Sequence, residues 1–170
     1  MKRTIALWLA PTLLALMPIS SFGQKPQTKS SDAQATVKAF YAFHIKNKCD
    51  YSVGGLKLRH RWLDENLYRL LLAELKKPVK PDEVPDLDGD PFTNSQDTPK
   101  SFHVGETKQG DKNASVEVLF YWKEKDKVVD QRKIEVKLTK SANAWKIANI
   151  ISGSTDDDDL VRFLNRSNQK

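Results

Sequence analysis

The sequence contains one cysteine, Cys49, in 170 residues, so no disulfide can form within the chain. The C-x-x-C, H-E-x-x-H and G-x-S-x-G patterns and the glycine-rich phosphate loop are also missing. Their absence removes support for a dithiol oxidoreductase, a helical zinc protease, an elbow-type serine hydrolase and a P-loop nucleotide enzyme. The lone Cys49 is expected to be buried and inert, the alternative being a pairing with another chain.

Apolar runs are equally scarce, and the only long one lies at the N-terminus. Lys2 and Arg3 precede an apolar stretch over residues 5–19, and Ser21-Phe22-Gly23 supplies small residues for a signal peptidase. The pattern predicts a signal peptide over 1–23 and a periplasmic or secreted protein that is soluble after cleavage. An uncleaved membrane anchor is the alternative, although the stretch is short and broken by prolines.

The remaining composition is typical of a globular domain, with 39% hydrophobic and 29% charged residues. Lys plus Arg number 28 and Asp plus Glu 22, for a net charge of +6. The basic excess is spread along the chain and is not organised with aromatics as in nucleic-acid binders. We therefore expect one domain, no membrane span in the mature chain and no nucleic-acid partner.

Helical periodicity follows a short polar lead at 24–30. Ser31 and Gln34 have the spacing of a capping box, and Val37, Phe40, Tyr41, His44 and Ile45 recur on one face. Gly54-Gly55 is expected to break the chain before a second helix, which ends before Pro78. The leucines of that helix form its apolar stripe, and Arg59 and Glu74 are expected on its solvent face.

Residues 78–100 form the sharpest change in composition. They hold five of the eight prolines, and the stretch between Pro81 and Pro99 has six acidic residues and no Lys or Arg. The segment predicts a long loop, which we call the acidic loop. Loops of this length inside a domain are usually functional or disordered.

The remainder alternates with a period of two, as β-strands do. Four such segments begin near Phe102, Ala114, Ile134 and Trp145, and a short helix follows after residue 155. Short turns between them predict an antiparallel meander with one buried face, which the helices must cover. We therefore expect a single α+β domain over 31–166, with N-terminal helices on a curved four-stranded sheet.

Three segments of this domain resemble a known family: Val37-Lys38-Ala39-Phe40-Tyr41, the segment over 86–97, and Trp145-Lys146-Ile147. They are similar to exported bacterial domains of unknown function that carry a D-x-D-P-F segment, within the NTF2-like or cystatin-like superfamily. The resemblance implies a cone-shaped fold, export and a plausible face-to-face homodimer. It implies no catalytic residues, and the lipid-accepting cysteine of many members is absent here.

The alternating carboxylates Asp86, Asp88 and Asp90 resemble the first half of a calcium loop. The sixth position of that loop requires glycine and holds Pro91, and the twelfth holds Asp97 where glutamate is usual. A structural loop with Phe92 in the core is the favoured interpretation. Calcium binding and recognition of a basic partner are the alternatives.

The histidines are too far apart in sequence for a metal pattern, so no metal or cofactor is expected. The favoured interpretation of each is a satisfied core or surface histidine. The alternative is that His44 and His103 face a cone cavity beside Tyr41, where a histidine and an aspartate could act as acid and base. A hydrolase or isomerase is therefore one alternative function.

The favoured function is a non-enzymatic binding or accessory module of the bacterial cell envelope. Its partner would be an envelope protein, or a small ligand in the cavity. The candidate binding residues are Asp86, Asp88, Asp90, Phe92, Tyr41, His44 and His103.

Overall fold

The structure is a computed structural model, and it describes residues 32–78 and 85–169. The predicted signal peptide, the polar lead and residues 79–84 of the acidic loop lie outside the described residues. Three helices come first: α1 (Asp32–Lys46), α2 (Val53–Arg59) and α3 (Glu65–Glu74). Four strands follow: β1 (Ser101–Gln109), β2 (Asn113–Glu124), β3 (Lys127–Ser141) and β4 (Ala144–Ile151). The helix α4 (Leu160–Ser167) comes last.

The strands form one antiparallel sheet in the order β1-β2-β3-β4, which confirms the predicted meander and the α+β class. The β2–β3 turn is made by Lys125 and Asp126, both with positive φ, as a tight hairpin turn requires. Alternate residues are buried along β2, β3 and β4, so one face of the sheet forms the core.

Helix α1 lies against this buried face. Its stripe is fully buried at Val37, Phe40, Tyr41 and His44 and partly buried at Ile45. Tyr41 is in edge contact with Phe120 of β2. The start of the helix is fixed by two hydrogen bonds to β1, from the Ala33 amide to Gln109 Oε1 and from Gln34 Nε2 to the Gly105 carbonyl. The predicted stripe is confirmed, while the predicted cap Ser31 lies outside the described residues.

The predicted second helix is in fact two helices joined by a single 3-10 turn at His60–Trp62. Gly54-Gly55 does not break the chain as predicted, because both glycines lie inside α2, which Ser52 caps. Gly55 packs so closely that a Cβ there would be 2.4 Å from the Asp50 carbonyl oxygen. Asp64 caps α3, and the leucine stripe is buried as predicted.

Helix α4 is the last element of the described chain and packs against α3 and β4. Asp159 caps it by accepting a hydrogen bond from the Arg162 amide, and Leu160 and Leu164 are buried in the core. The 3-10 turn Asp156–Asp158 precedes α4, and the amide and hydroxyl of Thr155 donate to the Asp158 carboxylate. No helix in the described ranges is long and apolar enough to cross a membrane.

Candidate functional site

The acidic loop is fixed to the core through one carboxylate, that of Asp90. This side chain is 8% exposed and accepts three hydrogen bonds. His44 Nε2 lies 2.8 Å and Thr93 Oγ1 2.6 Å from Asp90 Oδ2, while the Phe92 amide lies 3.2 Å from Oδ1.

The loop backbone is shaped to bring Asp90 inwards. Gly89 has φ +107°, and a Cβ there would be 2.9 Å from the Ser95 carbonyl oxygen, so glycine is required. The Asp90 amide closes the turn on that same carbonyl at 2.8 Å. Phe92 is fully buried, and its carbonyl accepts a hydrogen bond from the Tyr41 hydroxyl at 2.8 Å.

Arg59 is the third member of this buried network and was wrongly expected on a solvent face. It is fully buried, and its Nε donates to His44 Nδ1 at 2.7 Å. Its Nη1 donates to the Gly55 carbonyl at 2.6 Å, while Nη2 has no hydrogen-bond partner among the described residues. The His44 ring stands between the guanidinium and the Asp90 carboxylate.

This arrangement fixes the proton on the imidazole. A guanidinium N–H can only donate, so Nδ1 of His44 must be the acceptor. The ring proton therefore sits on Nε2 and is donated to Asp90. Arg59, His44 and Asp90 form a chain of charge-assisted hydrogen bonds, with a neutral imidazole between a cation and an anion.

Burial controls the other titratable groups nearby. Desolvation, and then the negative charge of Asp90, raise the pKa of the Tyr41 hydroxyl well above its usual range. The same two causes raise the pKa of the Cys49 thiol to about 12. Desolvation lowers the pKa of Arg59, an effect that Asp90 opposes. Cys49 is thus a protonated core thiol.

His44, Cys49 and Asp90 have donor atoms within 4.8 Å of one another, a grouping that resembles a metal site. A histidine that binds a metal through one nitrogen normally donates its other N–H to an acceptor. Here Nδ1 faces the donor Arg59, and the guanidinium adds a positive charge 2.7 Å away. The residues therefore do not fit a metal ion.

The pairing of His44 with Asp90 is the one that the enzyme alternative required. His44 is fully buried, however, and both of its ring nitrogens are already hydrogen-bonded within the protein. A general base must reach a substrate proton with a free nitrogen. The side chains of Phe40 and Phe92 pack against the imidazole where a cavity had been predicted.

The other predicted site residues lie apart from this network. His103 is an exposed residue of β1 and does not join His44. Asp86 accepts from Ser167 Oγ at 2.8 Å, and Asp88 accepts from Gln96 Nε2 at 2.7 Å. Because Asp86, Asp88 and Asp90 each bond to a different group, their carboxylates do not converge as calcium ligands would.

A second arrangement joins two acidic segments that are far apart in sequence. The acidic loop and the 3-10 turn before α4 line an open cleft of about 280 Å³. Its apolar floor includes Leu87, Pro91, Ile150, Leu160 and Phe163. Its rim carries four carboxylates, those of Asp86, Asp88, Asp157 and Asp158. We call it the acidic cleft.

Only part of the charge on this rim is balanced by neighbouring cations. Lys77 lies 3.6 Å from Asp86, and Arg166 pairs with Asp157. The described partners of Asp88 and Asp158 are uncharged, so the negative charges of these two carboxylates are not balanced. Lys77 also lies closer to the Glu74 carboxylate, at 2.7 Å, than to that of Asp86. Hydrogen bonds from Thr155 lower the pKa of Asp158, which keeps that carboxylate ionised.

Comparisons of the chain with protein-family models, with curated proteins and with solved structures return no match.

Sequence reasoning missed Arg59 and Thr93, and it did not connect the run over 156–159 with the acidic loop. The sequence around Arg59 offered no indication of its burial, because Lys57 and Arg61 lie two residues to either side and both are exposed. Nothing local indicated that Asp157 and Asp158 approach Asp86 and Asp88, because 69 residues separate Asp88 from Asp157.

Proposed function

We propose that this protein is an exported, non-enzymatic binding module that takes a basic, partly apolar segment of a protein partner into the acidic cleft. The observation that carries the proposal is the composition of that cleft, with an apolar floor and an uncompensated acidic rim. Such a surface suits a cation on an aliphatic stem, because the stem can cover the floor while its charge meets the rim.

The partner should present at least two cations. Asp88 and Asp158 are the rim carboxylates whose described partners are neutral, and both are solvent-accessible. Asp86 and Asp157 already have cations beside them. A segment with alternating basic and apolar side chains would place charge at the rim and apolar surface on Leu87 and Phe163.

Two features support binding in preference to catalysis. The imidazole of His44 and the carboxylate of Asp90 are occupied by internal hydrogen bonds, and neither is open to a substrate. The cleft itself is lined by carboxylates, Asn94, Ser152 and apolar groups, and His44 is not among its lining residues. Carboxylates that accept hydrogen bonds and attract cations suffice for recognition.

We also propose the NTF2-like cone as the fold and the periplasm or the exterior as the location. The packing of α1 across the inner face of an antiparallel meander supports the first. The charged, apolar and small-residue regions of residues 1–23 support the second. An envelope protein with a basic, partly apolar segment is the corresponding partner.

The test uses a blocked hexapeptide of alternating lysine and leucine as a probe, titrated by calorimetry into the purified chain. We compare the parent with Asp88→Asn/Asp158→Asn, in which the amide oxygens can still accept from Gln96 and from Thr155, and only the 3.5 Å contact of Ser152 Oγ with Asp158 Oδ1 is lost. We expect about a five- to tenfold loss of affinity, because two surface charge contacts disappear.

The matched control is Asp111→Asn/Asp126→Asn, which removes the same charge from two exposed turns outside the cleft. It should bind the probe like the parent. Equal affinity in all three proteins, or equal binding of a glutamate–leucine hexapeptide, would contradict the proposal. Asp90 is left intact because its loss would perturb the core.

A further inference from the structure

The β2–β3 hairpin extends beyond the rest of the sheet. Pairing of β1 with β2 ends at Ser101 opposite Tyr121, and pairing of β4 with β3 begins only at Glu135 opposite Ile151. Residues 122–133 therefore form a two-stranded projection, which we call the arm. All residues from 123 to 133 are exposed.

One edge of the arm is unpaired. Within the described residues, the stretch 127–133 of β3 pairs with β2 on one side and has no strand on the other. Such an edge presents backbone N–H and C=O groups to solvent and can accept a further strand. An isolated two-stranded ribbon is also only marginally stable, so an additional strand would stabilise the arm.

The arm also exposes apolar surface. Val128 is 53% and Val129 56% exposed, and with Leu58 they are the exposed large apolar side chains of the described chain. Valine is a strand-forming residue that usually packs against a neighbour. Its exposure here, beside a free edge, marks the arm as an interaction surface.

The sequence of the edge is complementary to itself. In an antiparallel pairing of two copies centred on Gln131, Asp130 lies opposite the second copy's Arg132, and the reverse pair forms by symmetry. A pairing centred on Asp130 would oppose Asp130 to itself and Lys127 to Lys133. The charged side chains of this edge therefore disfavour the register centred on Asp130 and favour the register centred on Gln131.

We propose that the arm is a dimerisation element, in which residues 129–133 of β3 pair with the same residues of a second copy about a two-fold axis through Gln131. The interface contains few residues, and it belongs to the weak, concentration-dependent class. Asp130 and Arg132 are about half exposed and lie 3.4 Å apart within one chain. Arg132 also donates through Nη1 to the Asn94 carbonyl and lies over the Trp122 ring, so a second copy would pair with its remaining N–H groups.

The first experiment measures oligomeric state by sedimentation between about 10 µM and about 1 mM, a range that covers weak dimers. Asp130→Arg and Arg132→Asp each oppose like charges twice, and we expect each to weaken the dimer about tenfold or more. The double swap Asp130→Arg/Arg132→Asp restores the pairing and should return the parent affinity. Circular dichroism of each variant confirms folding.

The control is the swap Glu106→Arg/Lys108→Asp, because this pair has the same spacing on the opposite edge strand and lies 3.8 Å apart. It should leave the dimer unchanged. A chain that is monomeric throughout the range would overturn the proposal. So would a dimer that is insensitive to the single swaps, or one that the double swap fails to restore.

A second experiment tests the register in a Cys49→Ala background. Gln131→Cys places two thiols opposite each other across the axis, with Cα atoms about 5 Å apart, and mild oxidation should link the chains. Val129→Cys places its two thiols about 13 Å apart along the strands, so it should not link. Equal cross-linking of both variants would overturn the register.

Discussion

Asp88 and Asp90 belong to one loop and differ in position by two residues, yet their surroundings are opposite. The Asp90 carboxylate is 8% exposed, accepts three hydrogen bonds and lies in a chain with His44 and Arg59. Asp88 is exposed and accepts one hydrogen bond from Gln96. The same residue type therefore stabilises the fold at one position and leaves a free charge for a partner at the other.

The same contrast between a buried and an exposed charge holds for two arginines, Arg59 and Arg166. Arg59 is fully buried and depends on His44 and Asp90 to offset the cost of its desolvation. Arg166 pairs with Asp157 at the surface, where solvent screens both charges. Breaking a buried pair leaves an uncompensated charge in the core, whereas breaking a surface pair leaves each ion hydrated.

The largest expected effect is at Asp90. The substitution Asp90→Asn removes the larger of the two negative charges that act on Arg59, the other being Asp50. In either orientation the new amide N–H₂ faces a donor, either His44 and Thr93 or the Phe92 amide. We expect the free energy of unfolding to fall by about 3–5 kcal/mol, as measured by urea denaturation. Asp88→Asn, the matched control, should change it by about 0.5 kcal/mol or less. Similar losses for both would mean that the network does not stabilise the core.

The next largest effect is the difference in reactivity between the buried thiol of Cys49 and a thiol introduced at position 88 of the acidic loop. Burial raises the pKa of Cys49 to about 12, so its thiolate fraction is very small at neutral pH and grows only as the pH approaches that value. Alkylation by iodoacetamide at pH 8 should be about a thousandfold slower than that of Asp88→Cys in a Cys49→Ala background.

Denaturation supplies the control for this rate difference. In concentrated urea, the two thiols should react at similar rates, because the burial that distinguishes them is lost. A native Cys49 that reacts as fast as Asp88→Cys would show that the core around His44 opens readily.

The sequence predicted those parts of the fold that local patterns specify. The stripe of α1 and the alternation of the four strands each arise from neighbouring residues, and both were found. Gly54-Gly55 was misinterpreted, because helix α2 tolerates them when Ser52 caps it and Asp50 fills the space beside Gly55.

The candidate sites were less predictable because they depend on contacts between distant segments. Arg59 is buried only because His44 and Asp90, 15 residues before it and 31 after it, meet it in the fold. Phe92 and Tyr41 were predicted together, and a hydrogen bond joins them, but they fill the space where a cavity had been expected. Periodicity identifies which face of a helix is buried. It does not identify the polar side chain from another segment that bonds to that face.

The smallest expected effect on stability is at Arg166, which pairs with Asp157 at the rim of the acidic cleft. Arg166→Gln removes an exposed ion pair, so the free energy of unfolding should change by about 0.5 kcal/mol or less. The same change frees Asp157 at the rim of the acidic cleft, which should tighten binding of the lysine–leucine probe about two- to threefold.

Arg162→Gln is the control, because Arg162 pairs with Asp156 and Asp159, which do not line the cleft. It removes the same charge from the same helix and should leave probe affinity within error of the parent. If both substitutions tighten binding equally, the probe responds to the overall charge of the protein and not to the rim. If Arg166→Gln alone does so, a surface arginine that contributes almost nothing to stability limits what the cleft can bind.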